Sequence, residues 1–232
     1  MRALLLAAGY GTRLRPLTER VPKCLVPIKG RALLDYWCSL LLDDGAIDRI
    51  LINTSWLAEH VRAHVQISKW RDRIDLVHED VLLGTGGTVL ANCDWFGNES
   101  FMVIHSDNLS RFSISAFIGQ HRRRPKGAEI TMMTFTAETP QSCGIVETDA
   151  RDMVVAFHEK IANPPGNRAN GAVYIFEPSV IDFIAQLGKP VADISTEVLP
   201  AYMGRIFTFH NADYHRDIGT LESFSLAQVE NI

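Results

Sequence analysis

The chain has 232 residues and a formal net charge of -4, and 47% of its residues are hydrophobic, 9% aromatic and 22% charged. These proportions are typical of a globular protein and exclude a disordered or fibrous chain. The net negative charge argues against a nucleic-acid partner, and the basic cluster at residues 122–124 is explained as a solvated helix end. No apolar run is long enough to span a membrane.

Apolar runs alternate with amphipathic segments in the first half of the chain. They predict strands at residues 3–8, 49–53, 74–77 and 101–104, and helices at residues 33–42, 56–65, 85–92 and 114–123. Alternation of this kind, with strands apolar enough to be buried on both faces, predicts an α/β fold with a doubly wound, mostly parallel mixed sheet.

The second half is less regular. Strands are predicted at residues 130–136, 144–147, 153–157 and 171–175, and helices at residues 178–187, 194–202 and 221–230. No linker or internal repeat interrupts the pattern, so a single domain is expected.

Four scattered cysteines contain no C-x-x-C pair, which argues against a zinc site and a disulfide framework. The apolar run at residues 3–8 is too short for a signal peptide. A cytoplasmic protein is therefore expected.

The first strand is followed by G-Y-G-T-R-L-R-P-L-T from Gly9 and then by P-K-C-L-V-P from Pro22. Glycines at a strand end let backbone N–H groups approach an anion, and the cations Arg13, Arg15 and Lys23 suit a polyphosphate. The segment is neither a dinucleotide fingerprint nor a P-loop, because it lacks the third glycine and the Gly-Lys-Ser/Thr ending. Taken alone, the two glycines are equally well explained by a structural turn.

Together these motifs resemble those of the sugar-phosphate nucleotidylyltransferases, which join a nucleoside triphosphate to a sugar 1-phosphate and release pyrophosphate. The resemblance extends from Ala7 to Thr220. It implies a Rossmann-like nucleotidyltransferase fold over residues 1–232, with a nucleotide-binding half at about 1–110 and a sugar-binding half at about 111–232. It also implies a requirement for Mg²⁺ and leaves a homo-oligomer open.

The resemblance assigns the triphosphate to the glycine loop and the P-K lysine, with Arg13, Lys23 and Asp107 as the catalytic residues. The segment L-G-T-G-G at residues 83–87 resembles the part of the family that lies against the nucleobase, although a helix N-terminus capped by Thr85 is the alternative. The implied nucleotide-binding residues are Ala8, Gly9, Gly11, Thr12, Arg13, Lys23, Glu79 and Gly84.

Two aspartates are the metal ligands that the resemblance implies. Asp107 follows the strand at residues 101–104, and Asp217 lies in R-D-I-G-T, which resembles the W-x-D-I-G-T of the family. Mg²⁺ commonly takes one or two carboxylates and completes its shell with water and phosphate oxygens.

The same resemblance assigns the sugar phosphate to Gly144, Glu159, Lys160 and Asn170. The chain departs from the family pattern at Ser106, where glycine is usual, and at His215 and Leu221. Ser106 is expected to crowd the metal pocket slightly, and the other two to change packing on the sugar side.

The implied reaction needs no general base, because the second pKa of a phosphate monoester lies near ~6 and the nucleophile is already ionised at neutral pH. Within the family, L-G-T-G-G most resembles the guanylyltransferases that act on mannose 1-phosphate or D-glycero-D-manno-heptose 1-phosphate. Glu79 is expected to read guanine, since a carboxylate only accepts hydrogen bonds; the alternative is a solvated glutamate. A uridylyl- or thymidylyltransferase, and a catalytically silent nucleotide-sugar sensor, remain the alternative functions.

Overall fold

The computed structural model describes residues 1–231, so that only Ile232, the last residue of the predicted domain, lies outside it. The backbone groups into two units that interleave along the chain. The first unit comprises residues 1–82, 104–112 and 213–231, and the second comprises residues 83–103 and 113–212. The predicted division into halves near residue 110 stays a prediction.

The regular elements are numbered in chain order. The strands are β1 (Arg2–Leu6), β2 (Pro27–Ile28), β3 (Arg31–Ala32), β4 (Arg49–Thr54), β5 (Ile74–His78), β6 (Phe101–His105), β7 (Asn108–Arg111), β8 (Ile130–Thr136), β9 (Gly144–Thr148), β10 (Val154–Glu159), β11 (Arg168–Phe176), β12 (Ile206–His210) and β13 (Tyr214–Asp217). The helices are α1 (Leu33–Leu42), α2 (Ala58–Ile67), α3 (Gly84–Ala91), α4 (Cys93–Phe96), α5 (Ile114–Arg122), α6 (Ser179–Gln186), α7 (Leu199–Ala201) and α8 (Leu221–Ala227).

In the first unit, β1, β4 and β5 form a parallel ladder. The three residues Ala3, Leu4 and Leu5 have no exposed surface, as expected for a strand covered on both faces. The register pairs Leu6 with Asn53, and Asn53 with Val77. The carboxyl ends of the three strands therefore meet at one edge, which is where open α/β sheets bind ligands.

A second feature of the first unit is the antiparallel ribbon formed by β7 and β13. Its register pairs Asn108 with Asp217, and the Ile218 N–H donates to the Asp107 carbonyl at 3.0 Å. This ribbon places Asp107 and Asp217, which are far apart in sequence, next to each other. The sequence pattern predicted neither strand, because both are short and rich in polar residues.

In the second unit, β11 pairs antiparallel with β8 and with β9, β10 pairs antiparallel with β9, and β12 runs parallel to β8. The ladder between β11 and β8 is interrupted between Asn170 and Tyr174, where Ala172 has a φ of 53°. This bulge changes the direction of the side chains that follow it.

The predicted α/β class with a mixed sheet is confirmed, and the bounds of most predicted elements lie within a few residues of those observed. The helix predicted at residues 194–202 is instead a π-helical turn over Ile194–Val198 followed by α7. Pro200 lies in the first turn of α7 and lacks the N–H that a continuous α-helix would need at that position. Along residues 1–231, no helix combines the length and apolar character needed to cross a bilayer.

Candidate active site

The glycine loop of the first unit has a conformation that requires glycine at one of its two positions. Gly11 has a φ of 62°, and a Cβ there would lie 2.9 Å from Cγ2 of Thr18 and 3.1 Å from Cβ of Lys23. The Thr18 hydroxyl also donates to the Gly11 carbonyl at 2.7 Å. At Gly9, by contrast, a Cβ would meet no protein atom within 4 Å, so protein packing does not account for glycine there.

The residues after Gly11 form a short 3-10 turn, Thr12–Leu14, anchored by the buried Leu14. Ala8, just before the loop, is buried, and Thr12 and Arg13 are exposed. The anchored turn therefore presents the Arg13 guanidinium on the surface of the unit.

Lys23 lies within ion-pair distance of both predicted metal ligands, Asp107 and Asp217. Its side chain is only 9% exposed, and its Nζ donates to Oδ2 of Asp107 at 2.7 Å and lies 3.9 Å from Oδ1 of Asp217. The carboxylates themselves are 39% and 54% exposed. The ammonium thus offsets the repulsion between two carboxylates that face solvent.

Gly219 lies at the point where Arg13 approaches Asp217. A Cβ at Gly219 would be 2.6 Å from Oδ2 of Asp217 and 3.0 Å from Nη2 of Arg13. Any other residue would have to displace one of these charged groups. The sequence motif contains Gly219, but only the structure shows why glycine is required at this position.

The pKa of Asp107 is set by its burial and by the charged groups around it. Burial by itself would raise the pKa of the carboxyl, but the Lys23 ammonium, the charge of His105 and the hydrogen bond from Lys23 outweigh it, and the pKa of Asp107 lies below its ordinary value. Asp107 is therefore ionised at neutral pH.

The aspartate pair fits a magnesium ion. Among residues 1–231, no cluster of three or more His, Cys, Asp and Glu side chains is placed to hold a metal. Two adjacent carboxylates are nevertheless what Mg²⁺ uses when phosphate oxygens and water fill the rest of its shell. Asp107 and Asp217 could hold such an ion together with a phosphorylated substrate.

Glu79 lies at the same strand edge and is buried, with 6% of its surface exposed. Its N–H donates to the Thr54 carbonyl at 2.8 Å, and its Oε1 accepts from Nδ2 of Asn53 at 3.0 Å. The alternative of a solvated glutamate is therefore wrong. Asn53 was not singled out in the sequence, where the only signal is a polar residue near the carboxyl end of a parallel strand.

The second unit brings Gly144, Glu159 and Lys160 together. Glu159 pairs with Gly144 across β10 and β9, and a Cβ at Gly144 would lie 2.7 Å from Oε2 of Glu159. The Lys160 Nζ lies 3.3 Å from Oε1 of Glu159, and the lysine side chain is 62% exposed. The arrangement presents a carboxylate and an ammonium side by side.

Asn170 occupies the start of the bulge in β11. Its Oδ1 accepts from the Ala172 N–H at 2.9 Å, and its Nδ2 donates to the Tyr174 hydroxyl at 2.7 Å. Burial is the largest cause of a raised pKa at Tyr174, so the phenol stays neutral. The amide of Asn170 is thereby held in one orientation.

The glycines of L-G-T-G-G pack against the backbone of the same unit. Gly84 has a φ of 73°, and a Cβ there would lie 2.5 Å from the Ala192 carbonyl oxygen. The N–H groups of Gly86 and Gly87 donate to that carbonyl at 2.8 and 3.1 Å. Close backbone packing accounts for these glycines, and a nucleobase at Gly84 stays a prediction.

Thr85 has a role other than capping. The cap of α3 is Leu83, without a side-chain hydrogen bond. The Thr85 hydroxyl instead donates to Oδ2 of Asp193 at 3.0 Å and accepts from the Ile194 N–H at 2.8 Å. The Thr85-capped alternative is wrong.

Two departures from the family pattern have clear local reasons. The Ser106 hydroxyl, which is buried, donates to the Leu6 carbonyl at 2.8 Å and so connects the end of β6 to β1. His215 lies 2.7 Å from the Ser110 hydroxyl through Nδ1, and burial lowers its pKa to about 3 against the opposing charge of Asp107. His215 thus belongs to the ribbon that carries the aspartates, and the expectation that it alters packing on the sugar side stays a prediction.

The profile of the family described as nucleotidyl transferase matches residues 2–231. A mannose-1-phosphate guanylyltransferase of Mycobacterium tuberculosis is 35% identical, with 96% of this chain and 62% of that protein covered. A UTP–glucose-1-phosphate uridylyltransferase of Synechocystis is 32% identical, with 97% and 61% covered. The chain therefore spans less than two thirds of the length of these relatives.

Solved structures share the fold. HddC from Yersinia pseudotuberculosis, complexed with GMP-PN, superposes with a TM-score of 0.81 at 24% identity, covering 98% of this chain and 97% of that one. A Bacillus anthracis protein assigned as a glucose-1-phosphate thymidylyltransferase, in complex with sucrose, gives a TM-score of 0.84 at 20% identity over 100% and 97% of the two chains.

Proposed function

This chain belongs to the nucleotidyl transferase family, and from that premise we propose that it is a sugar-1-phosphate guanylyltransferase. It joins GTP to a manno-configured sugar 1-phosphate, either mannose 1-phosphate or D-glycero-D-manno-heptose 1-phosphate, and releases pyrophosphate. The observation that carries the proposal is the Lys23 ammonium, 2.7 Å from Asp107 and 3.9 Å from Asp217, in the unit that also contains the glycine loop.

In the proposed reaction an oxygen of the sugar 1-phosphate attacks the α-phosphorus of the nucleotide, and the bond from that phosphorus to pyrophosphate breaks. The nucleophile is already ionised, so the protein contributes positioning and charge rather than proton transfer. Arg13 and Lys23 bind phosphate oxygens of the nucleotide, and Lys160 binds the phosphate of the sugar. Each cation offsets negative charge on the substrate that it binds.

Asp107 and Asp217 would hold Mg²⁺, which when bound supplies positive charge to the phosphate oxygens. The register of β7 and β13, which pairs Asp217 with Asn108 and so brings it next to Asp107, supports this assignment. Gly144, Glu159 and Asn170 are assigned to the sugar. The support is the pairing of Glu159 with Gly144 and the fixed amide of Asn170, which leaves little freedom for reorientation on binding.

Guanine is favoured by the chemistry of Glu79. The Watson–Crick edge of guanine has two donors, N1–H and N2–H₂, and a carboxylate is a pure acceptor. Uracil and thymine would instead turn carbonyl oxygens toward it. The mannose-1-phosphate guanylyltransferase relative supports the same choice.

A uridylyl- or thymidylyltransferase activity is the second candidate, favoured by the 32% identity to a UTP–glucose-1-phosphate uridylyltransferase. A catalytically silent sensor is disfavoured, because the chain retains Arg13, Lys23, Asp107 and Asp217. Pyrophosphate release should be measured for four nucleoside triphosphates against mannose 1-phosphate, the manno-heptose 1-phosphate and glucose 1-phosphate, with and without Mg²⁺. Preference for GTP with a manno-configured sugar is expected, and no release with any pair would overturn the proposal.

Glu79→Gln tests the choice of base separately. The amide loses the charge and one acceptor, so kcat/KM for GTP should fall at least ~10-fold while that for UTP is spared. Asp80→Asn, at the adjacent position with a side chain that is 97% exposed, is the matched control. An equal loss for every nucleotide would contradict the assignment of Glu79.

A further inference from the structure

Asn53 connects two parts of the proposed nucleotide site through its side chain. Its Oδ1 accepts from the Ala7 N–H at 2.7 Å, and its Nδ2 donates to Oε1 of Glu79 at 3.0 Å. Ala7 directly precedes Ala8 and the glycine loop, and Asn53 is only 3% exposed. One buried amide therefore spans the distance between the loop and the buried carboxylate.

The orientation of this amide follows from its bonds to Ala7 and Glu79. A backbone N–H can only donate, so the oxygen of Asn53 must face Ala7, and a carboxylate can only accept, so the nitrogen must face Glu79. The backbone of Glu79 is held by the same strand, through the Thr54 carbonyl at 2.8 Å. Both the main chain and the side chain of Glu79 thus depend on β4.

We infer that Asn53 is a positioning residue for nucleobase selection, which orients the Glu79 carboxylate toward guanine and ties it to the start of the glycine loop. The inference rests on the proposed guanylyltransferase function. It gives a physical link between recognition of the base and binding of the triphosphate, because the same amide restrains both parts. A hydrogen bond to a charged group is stronger than one between neutral groups, so its loss should be measurable.

Asn53→Asp keeps the hydrogen bond from Ala7 and removes the one to Glu79. The introduced carboxylate still accepts from Ala7, but its second oxygen now faces Glu79 and repels it. We expect kcat/KM for GTP to fall at least ~10-fold, mainly through KM, while kcat/KM for UTP stays within ~3-fold of wild type. For inosine triphosphate, which lacks the 2-amino group of guanine, Asn53→Asp should lower kcat/KM by a smaller factor than it does for GTP.

Two comparisons show whether Asn53 acts through Glu79. Thr54→Val alters the adjacent buried residue of β4, whose hydroxyl donates to the Val77 carbonyl at 3.1 Å, and should leave the ratio of GTP to UTP unchanged. In a Glu79→Gln background, the new amide can donate to the introduced carboxylate. There, Asn53→Asp should lower GTP use by less than ~3-fold.

The outcomes are distinct. A wild-type protein without GTP preference would overturn the proposed function and this inference with it. A wild-type preference for GTP that survives Asn53→Asp, or a loss of the same size in both backgrounds, would overturn the inference alone. If Asn53→Asp does not fold, Asn53→Ser removes the amide without adding charge, and it must reduce the ratio of GTP to UTP for the inference to stand.

Discussion

At the scale of single residues, Lys23 keeps together two carboxylates that would otherwise repel each other. The ammonium is buried and bonded to Asp107, whereas both carboxylates remain accessible. The P-K motif predicted Lys23 as a phosphate contact, but nothing in the motif indicated that its immediate partner is an aspartate from a distant segment.

Asp107→Asn and Asp217→Asn test that arrangement. Each change keeps the shape of the side chain and removes one negative charge that the proposed Mg²⁺ needs, so turnover should fall by at least ~10²-fold, the scale found when a preorganised electrostatic group is lost. Pyrophosphate release measures the effect, and circular dichroism confirms folding. Asp72→Asn, with a side chain that is 89% exposed, is the control, and near-normal turnover in both variants would refute the metal assignment.

At the scale of elements, a buried polar network joins α5 to β8 and to the residue after β11. His121 lies 2.7 Å from the Thr131 hydroxyl through Nδ1 and 2.8 Å from Oε1 of Glu177 through Nε2. Arg124 and Ser100 also contact Glu177, at 2.8 and 2.7 Å. Because a carboxylate only accepts, the neutral imidazole donates from Nε2 and accepts from the threonine at Nδ1.

This network predicts that the protein loses stability in mild acid. Burial, and then the charge of Arg124, lowers the pKa of His121, and the bonds from Ser100 and His121 overcome burial to lower the pKa of Glu177. Both groups therefore take up protons more readily when unfolded. Their contribution to the free energy of unfolding is complete above a pH of about 6.5. As the pH falls, the contribution of His121 is lost first, and that of Glu177 is lost below a pH of about 4.5.

His121→Gln should make the free energy of unfolding depend less on pH. Urea unfolding between pH 7.5 and pH 5 should show a smaller loss of free energy of unfolding in the variant than in wild type. At pH 7.5 the variant should itself be about 1–3 kcal/mol less stable, since a buried hydrogen-bonded group is altered. His60→Gln, on the exposed surface of α2, should retain the wild-type slope, and an unchanged slope in His121→Gln would contradict the assignment.

At the scale of the whole molecule, ligand binding and folding are linked. A ligand that binds only the folded chain stabilises it by about 2.7 kcal/mol at one hundred times its Kd. GTP with Mg²⁺ should therefore raise the Tm, and UTP at the same concentration should raise it less.

Removal of the metal is the corresponding control. EDTA should reduce the Tm shift produced by GTP and stop pyrophosphate release, and added Mg²⁺ should restore both. Full turnover of EDTA-treated protein would show that the two aspartates serve another purpose.

The sequence by itself was sufficient where local pattern decides structure. The apolar runs predicted β1, β4 and α1 within a few residues, and the glycine pair predicted a turn after β1, where Gly11 has a φ of 62°. Phosphate binding by that loop stays a prediction. Such features depend on side-chain periodicity and on backbone sterics over a few residues, which a single segment contains in full.

The tertiary structure alone decided which distant groups meet. The pairing of β7 with β13 joins Asp107 to Asp217, and the register of β1, β4 and β5 places Asn53 between Ala7 and Glu79. The contacts of Asn53 could not be read from the chain, because an asparagine at the end of a strand looks the same whether or not a carboxylate faces it. Only the family resemblance had brought the two aspartates together. Contacts of this kind depend on strand order and register, and these are set by burial of the whole core rather than by the residues that meet.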